Sequence, residues 1–154
     1  MNKSKLFFLI LFLIIGCTKD PINYENLLYE KDGVFYGKES NKPYSGKVFS
    51  LYGDGKKKTV GNLKNGKSNG LWIWFHENGV KKYEGNWKNG KGHGLWKRYH
   101  KNGRYTLEEW EDGVRLSSKL YYKNNQLKME RIFDINGMWI EKCWDEKGKE
   151  IECK

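Results

Sequence analysis

The chain has 154 residues, enough for one domain. Its 29 Lys and Arg against 19 Asp and Glu give a formal charge of +10. A charge of that size suits anionic lipid, cell-wall polymer or an acidic partner, and it equally suits a lysine- and asparagine-rich composition on a soluble surface.

The first element is a targeting segment. Met1-Asn2-Lys3-Ser4-Lys5 is a short positive region, and Leu6–Ile15 is an unbroken apolar run. Ten helical residues reach only about 15 Å, half of a bilayer core, so residues 1–16 are expected to be a signal peptide. Removing Lys3 and Lys5 with it lowers the charge to +8 (10 − 2). The run ends in Ile14-Ile15-Gly16-Cys17, which resembles the lipobox of bacterial lipoproteins. The resemblance implies cleavage before Cys17 and fatty acylation, palmitate included, of the processed N-terminal Cys17. It also implies a mature protein held in the cell envelope by a membrane anchor. Thr18, where an aspartate would favour inner-membrane retention, implies the outer membrane if the source has one. An ordinary secretory signal with a chance cysteine is the alternative. Export leaves nucleic acid a poor partner.

Residues 17–26 read as a tether, since Asp20-Pro21 disfavours regular structure. Residues 27–154 read as strand, turn, strand. Leu28–Tyr29 and Val34–Tyr36 flank Glu30-Lys31-Asp32-Gly33 as a first hairpin. Three near-copies follow: SGKVFSLYGDG from Ser45, NGLWIWFHENG from Asn69 and HGLWKRYHKNG from His93. Their opening glycines Gly46, Gly70 and Gly94 step by 24 (70 − 46, 94 − 70), as do GNLKNGK from Gly61 and GNWKNGK from Gly85. A fixed short period specifies a stacked array in which each unit covers only its neighbours. Within a unit, Leu71, Ile73 and Phe75 alternate with Trp72, Trp74 and His76, a strand period of two. Glu77-Asn78-Gly79 fits a three-residue hairpin loop and Asn89-Gly90 a tight turn. The period decays after Asp112-Gly113, through Asn124-Asn125 and Asn136-Gly137, to a last tip at Glu146-Lys147-Gly148. No segment reads as a helix. The predicted fold is all-β, an elongated single-layer antiparallel meander. Its expected core is a set of aromatic ladders up the repeats: Leu51, Phe75 and Tyr99, or Leu63, Trp87 and Trp110.

Tyr83-Glu84-Gly85-Asn86-Trp87, the turn Lys88-Asn89-Gly90-Lys91 and the opening Gly94-Leu95-Trp96 resemble the MORN repeat in its bacterial variant form. The resemblance runs from about Asp32 to Lys154 and weakens after Glu111. It implies stacked β-hairpins. Several bacterial proteins of this kind are YwqK-type antitoxins, and MORN arrays elsewhere serve as spacers, dimerisation surfaces or lipid-associated modules. Fold alone does not choose among these.

Chemical motifs are sparse. His76 and His100 occupy equivalent repeat positions, but zinc needs three or four converging ligands and no carboxylate recurs beside them. Glu108-Glu109 and Asp145-Glu146 are adjacent, not facing across a cleft. No metal, cofactor or catalytic residue is expected. Setting aside Cys17 leaves Cys143 and Cys153, an even number in an oxidising compartment, on one face of the last hairpin. They are expected to form a disulfide, although a three-residue loop ending at Gly148 would oppose Cys143 to Ile151 and leave the pair diagonal. The expected function is non-catalytic: a binding or spacing surface for an unknown protein or envelope component. The alternative is an antitoxin or immunity protein that neutralises a toxin by occupying it.

Overall fold

The structure, a computed structural model, describes residues 20–153; the signal segment and Cys17 lie outside the described residues. In chain order the elements are β1 (Ile22–Asn23), α1 (Tyr24–Leu27), β2 (Leu28–Lys31), β3 (Val34–Gly37), β4 (Gly46–Leu51), β5 (Lys57–Lys64) and β6 (Lys67–Ser68). There follow β7 (Gly70–Phe75), β8 (Lys81–Lys88), β9 (Lys91–Tyr99), β10 (Tyr105–Glu111), β11 (Val114–Tyr121), β12 (Leu127–Phe133), β13 (Trp139–Trp144) and β14 (Glu150–Ile151). From β4 onward, the short β6 aside, neighbours in sequence are neighbours in space. The main sheet runs β1-β4-β5-β7-β8-β9-β10-β11-β12-β13-β14, with β6 paired to β5. All its pairings are antiparallel except β1 on β4. The all-β meander read from the 24-residue period is the fold.

Two kinds of turn alternate along the two edges. One edge carries three-residue loops, closed by Tyr52 N–H to Lys56 C=O, His76 to Val80, His100 to Arg104, Tyr122 to Gln126 and Asp145 to Lys149, at 2.8–3.0 Å. Gly79 takes the left-handed conformation there (φ 80°), and Asn125 does so in the later copy (φ 65°). The opposite edge carries two-residue turns such as Asn89-Gly90, with both φ positive (52° and 80°). These turns stack. Gly90 N–H donates to Ser68 C=O and Gly113 N–H to Gly92 C=O, each at 2.9 Å. The last turn on this edge departs from the pattern: Asp134–Met138 is a wider loop.

Since strand side chains alternate, the sheet has a tryptophan face and a leucine face. The cross-strand register Trp72–Gly85–Trp96–Glu108–Ser118–Arg131–Glu141 runs along the first. Phe49–Val60–Ile73–Glu84–Lys97–Leu107 runs along the second.

Two features depart from the sequence expectation. The stretch read as a tether is structured from Ile22, where β1 pairs with β4 and Asn23 Oδ1 caps the one-turn helix α1 by accepting from Glu25 N–H. A four-residue helix has no period to detect. The first hairpin, β2–β3, also forms its own two-stranded sheet and is no strand pair of the meander. Phe35 N–H donates to Gly66 C=O at 2.8 Å, and Gly66 N–H to Tyr44 C=O at 2.7 Å. This holds the hairpin over the tryptophan face, where Leu28 joins Val48, Leu63 and Trp72 in the buried core.

Candidate binding surfaces

The tryptophan face is built by a repeated device. The Trp72 ring lies on Gly61 and the Trp96 ring on Gly85, so closely that a Cβ at either glycine would overlap the indole. Each indole N–H then donates to the next residue's carbonyl, Trp72 Nε1 to Asn62 O at 3.1 Å and Trp96 Nε1 to Asn86 O at 3.0 Å. The Gly-Asn of each unit is therefore the seat for the tryptophan of the next. Between them the rings run on: Trp74 stacks on Tyr83 (4.5 Å), and Trp96 meets Trp87 edge-on (5.2 Å) and Trp110 tilted (5.9 Å). Of the ladders expected from sequence, Leu63, Trp87 and Trp110 lie on this face, with Leu63 buried and the two tryptophans half-buried. The seated pair Trp72 and Trp96 was not among them.

One repeat further on the device is replaced. Glu108 stands opposite Trp96 and Ser118 opposite Glu108. Glu108 is buried; its carboxylate accepts from Arg115 Nη1 at 3.0 Å and Trp110 Nε1 at 3.1 Å. Arg115 also lies 4.7 Å over Phe133, and Arg131, bonded to Glu141 at 2.6 Å, lies over Trp139. Arginine–aromatic layers thus continue the tryptophan stack.

On the leucine face Phe49, Leu51, Val60, Leu71 and Ile73 line an open trough of about 740 Å³, with Pro21 at its rim. Leu71 is 51% exposed, and its repeat equivalent Leu95 64%. Farther along, the face is charged: Lys81 binds Glu84 at 2.7 Å and Lys119 binds Glu130 at 3.0 Å. Tyr99 O–H also donates to Glu84, at 2.7 Å. Lys81, then Tyr99, hold the Glu84 carboxyl below the usual carboxylate range. Burial first, and then this bond and the Glu84 charge, push the Tyr99 phenol up to about 12.

His76 and His100 sit at successive three-residue loops and line one trough of about 720 Å³ with Tyr52, Lys81 and Lys101. His100 Nε2 is 2.8 Å from Thr106 Oγ1. His93 lies on the opposite edge, 4.0 Å from Asp112. Among the described residues, the one grouping of three metal-ligand side chains is Glu141, Cys143 and Cys153. Cys143 and Cys153 are joined as a disulfide with Cα atoms 5.3 Å apart, which takes both thiols out of metal chemistry. The register does oppose Cys143 to Ile151. The diagonal closes because β14 ends at Ile151, leaving Cys153 free of the ladder to turn back. No helix among the described residues is long and apolar enough to cross a membrane; Cys17 and the apolar run before it lie outside them.

Comparison with known proteins agrees with the repeat geometry. Residues 68–89 match the MORN repeat variant, the stretch from β6 through the turn after β8 that contains the seated Trp72 and its neighbour glycine Gly85. No curated protein matches the chain. Among solved structures, a crystal structure of an S. aureus TarM mutant in complex with fondaparinux, alpha-GlcNAc-glycerol and UDP is similar at 16% identity and a TM-score of 0.32. That similarity covers 53% of this chain and 14% of that one, and it assigns neither fold nor activity. The chain thus carries a MORN repeat variant within an all-β repeat sheet, an architecture suited to binding.

Proposed function

We propose that the protein is a non-catalytic lipoprotein, anchored in the cell envelope through Cys17, whose repeat sheet is a binding and spacing surface for a protein or envelope component. The uncovered apolar trough on the leucine face carries this reading. Phe49, Leu51, Val60, Leu71 and Ile73 lie side by side there, whereas the opposite face of the same strands is sealed by the β2–β3 hairpin. Contiguous exposed apolar surface on a protein of high charge is the usual mark of a partner site. Pro21, four residues from Cys17, stands at the trough's rim. Four extended residues span about 14 Å, so an anchor on Cys17 keeps this end of the sheet near the membrane.

Two measurements test it. Cys17→Ser should abolish incorporation of labelled fatty acid and leave an uncleaved precursor; equal labelling of variant and wild type removes the anchor. A photo-crosslinking residue at Leu71 in the full chain should capture one partner in cells, and Ile73→Lys should abolish that capture. Capture of a growth-arresting protein would move the reading to toxin neutralisation. Capture unaffected by Ile73→Lys would remove the trough from the function.

A further inference from the structure

The edge that carries the three-residue loops holds a second set of groups, separate from the apolar trough. Where this edge meets the leucine face, Tyr52, His76, Tyr99 and His100 line the trough of about 720 Å³, inside the range of about 300–1,000 Å³ usual for small-ligand sites. It shares no lining residue with the apolar trough. Beside it Arg104, Tyr122 and Lys123 line another, of about 420 Å³. The Lys123 stem lies against Gly103, where the two meet.

Rings and donors stand ready along this edge. Tyr52 donates its O–H to Phe75 C=O at 2.6 Å, and Tyr122, in the equivalent place, donates to Trp144 C=O at 3.1 Å. Tyr99 O–H is held by Glu84 at 2.7 Å. With these hydroxyls engaged inside the protein, the tyrosines present ring surface to a ligand. Asn78 and Asn102 use Oδ1 within their loops, accepting from Val80 N–H at 3.1 Å and Arg104 N–H at 3.2 Å. That leaves each Nδ2 as a donor. His100 Nε2 meets Thr106 Oγ1, which leaves its Nδ1.

The charge is ordered as well. In loop order the charged lining runs Glu77, Lys101, Arg104, Lys123, Glu146, so the cations lie in the middle. Lys81 is held by Glu84, whereas Lys101, Arg104 and Lys123 form no ion pair among the described residues. Ring faces that accept flat C–H surface, unengaged amide and imidazole donors, and unpaired cations together suit an acidic sugar. Successive loops are two strands apart, about 9–10 Å, close to the length of one extended disaccharide. A row of similar sites at one pitch fits a ligand with its own chemical repeat better than the irregular surface of an acidic protein.

We propose that this edge binds an unbranched acidic glycan, laid across the strand ends from the His76–Val80 loop to the Tyr122–Gln126 loop, with a carboxylate in each disaccharide. Tyr52 and Tyr99 take its ring faces. His76, His100 and the Asn78 and Asn102 amides take its hydroxyls, and Lys101, Arg104 and Lys123 its carboxylates. The site depends neither on the Cys17 anchor nor on the apolar trough.

The test is isothermal titration of the detergent-solubilised full chain with a hyaluronan oligosaccharide, an unbranched glycan with a carboxylate in every disaccharide. Wild type should bind it roughly tenfold or more tightly than an uncharged chito-oligosaccharide of the same length. Polyglutamate of equal charge should not displace it. Lys101→Glu, at an exposed loop tip, should weaken binding roughly tenfold or more, and His76→Ala should weaken it by about tenfold. Lys88→Glu, the same charge change at an exposed site on the opposite edge, should leave it within about twofold, since salt screens distant charges. Failure to bind the oligosaccharide, equal affinity for the uncharged chain, equal losses in Lys88→Glu and Lys101→Glu, unchanged binding in His76→Ala, or displacement by polyglutamate would each overturn the proposal.

Discussion

Gly85 acts through the side chain it lacks. Its missing Cβ is the space in which the Trp96 ring lies, and Asn86 C=O anchors the indole N–H. Gly85→Ala should cost about 1–3 kcal/mol by overpacking, readable in urea unfolding. Gly53→Ala, where nothing stands near the new methyl, should stay within about 0.5 kcal/mol. Equal effects would contradict the seated-tryptophan arrangement. The Glu84–Tyr99 bond sets a pH dependence on the other face. The Tyr99 folded value is raised from 10.0 to about 12, so its contribution is complete below pH 10 and is lost as pH rises toward 12. The Glu84 value is lowered by Lys81 and Tyr99, so its contribution is present above the ordinary carboxylate range and is lost as pH falls through the lowered value. Tyr99→Phe should cost less than about 1 kcal/mol at neutral pH, since water screens a partly exposed pair. It should also flatten the alkaline limb of stability against pH.

Among the elements, turns and strands were legible because local chemistry determines them. Asn-Gly at Asn89 needs two positive φ angles and so declares a two-residue turn. The alternation through Leu71–Phe75 declares a strand. What escaped the sequence depends on register and on which face is covered. Trp72 lies over a glycine of β5, a neighbour that no spacing within β7 reveals, and the β2–β3 hairpin covers one face in preference to the other for reasons outside its own residues. The cysteine pair lay between these cases: the loop predicts the diagonal register, but only the end of β14 at Ile151 shows that the diagonal can close. Cys153→Ser should remove about 2–3 kcal/mol by freeing an eleven-residue loop in the unfolded chain. Hydrogen exchange should place that loss in β12–β14, and a loss spread evenly over the sheet would show that the bond does more than pin the final hairpin.

Across the whole molecule, covering is uneven, and stability should follow it. At the N-terminal end Leu28, Val48, Leu63 and Trp72 are all at most 5% exposed, because the hairpin supplies a second layer and Tyr24 packs edge-on against Trp72 at 6.2 Å. At the C-terminal end Trp139 and Ile140 remain more than half exposed. In a stacked array each unit's stability is its own plus that of its interfaces, so opening should begin at β13–β14 and proceed toward β4. Trp72→Ala should cost about 3–5 kcal/mol, the range for deleting a large buried aromatic, and should lower protection across β4–β8. Trp139→Ala should cost under about 1 kcal/mol, because Trp139 is already more than half exposed. Amide exchange on the full chain separates the two, with slowest exchange expected in β5 and β7.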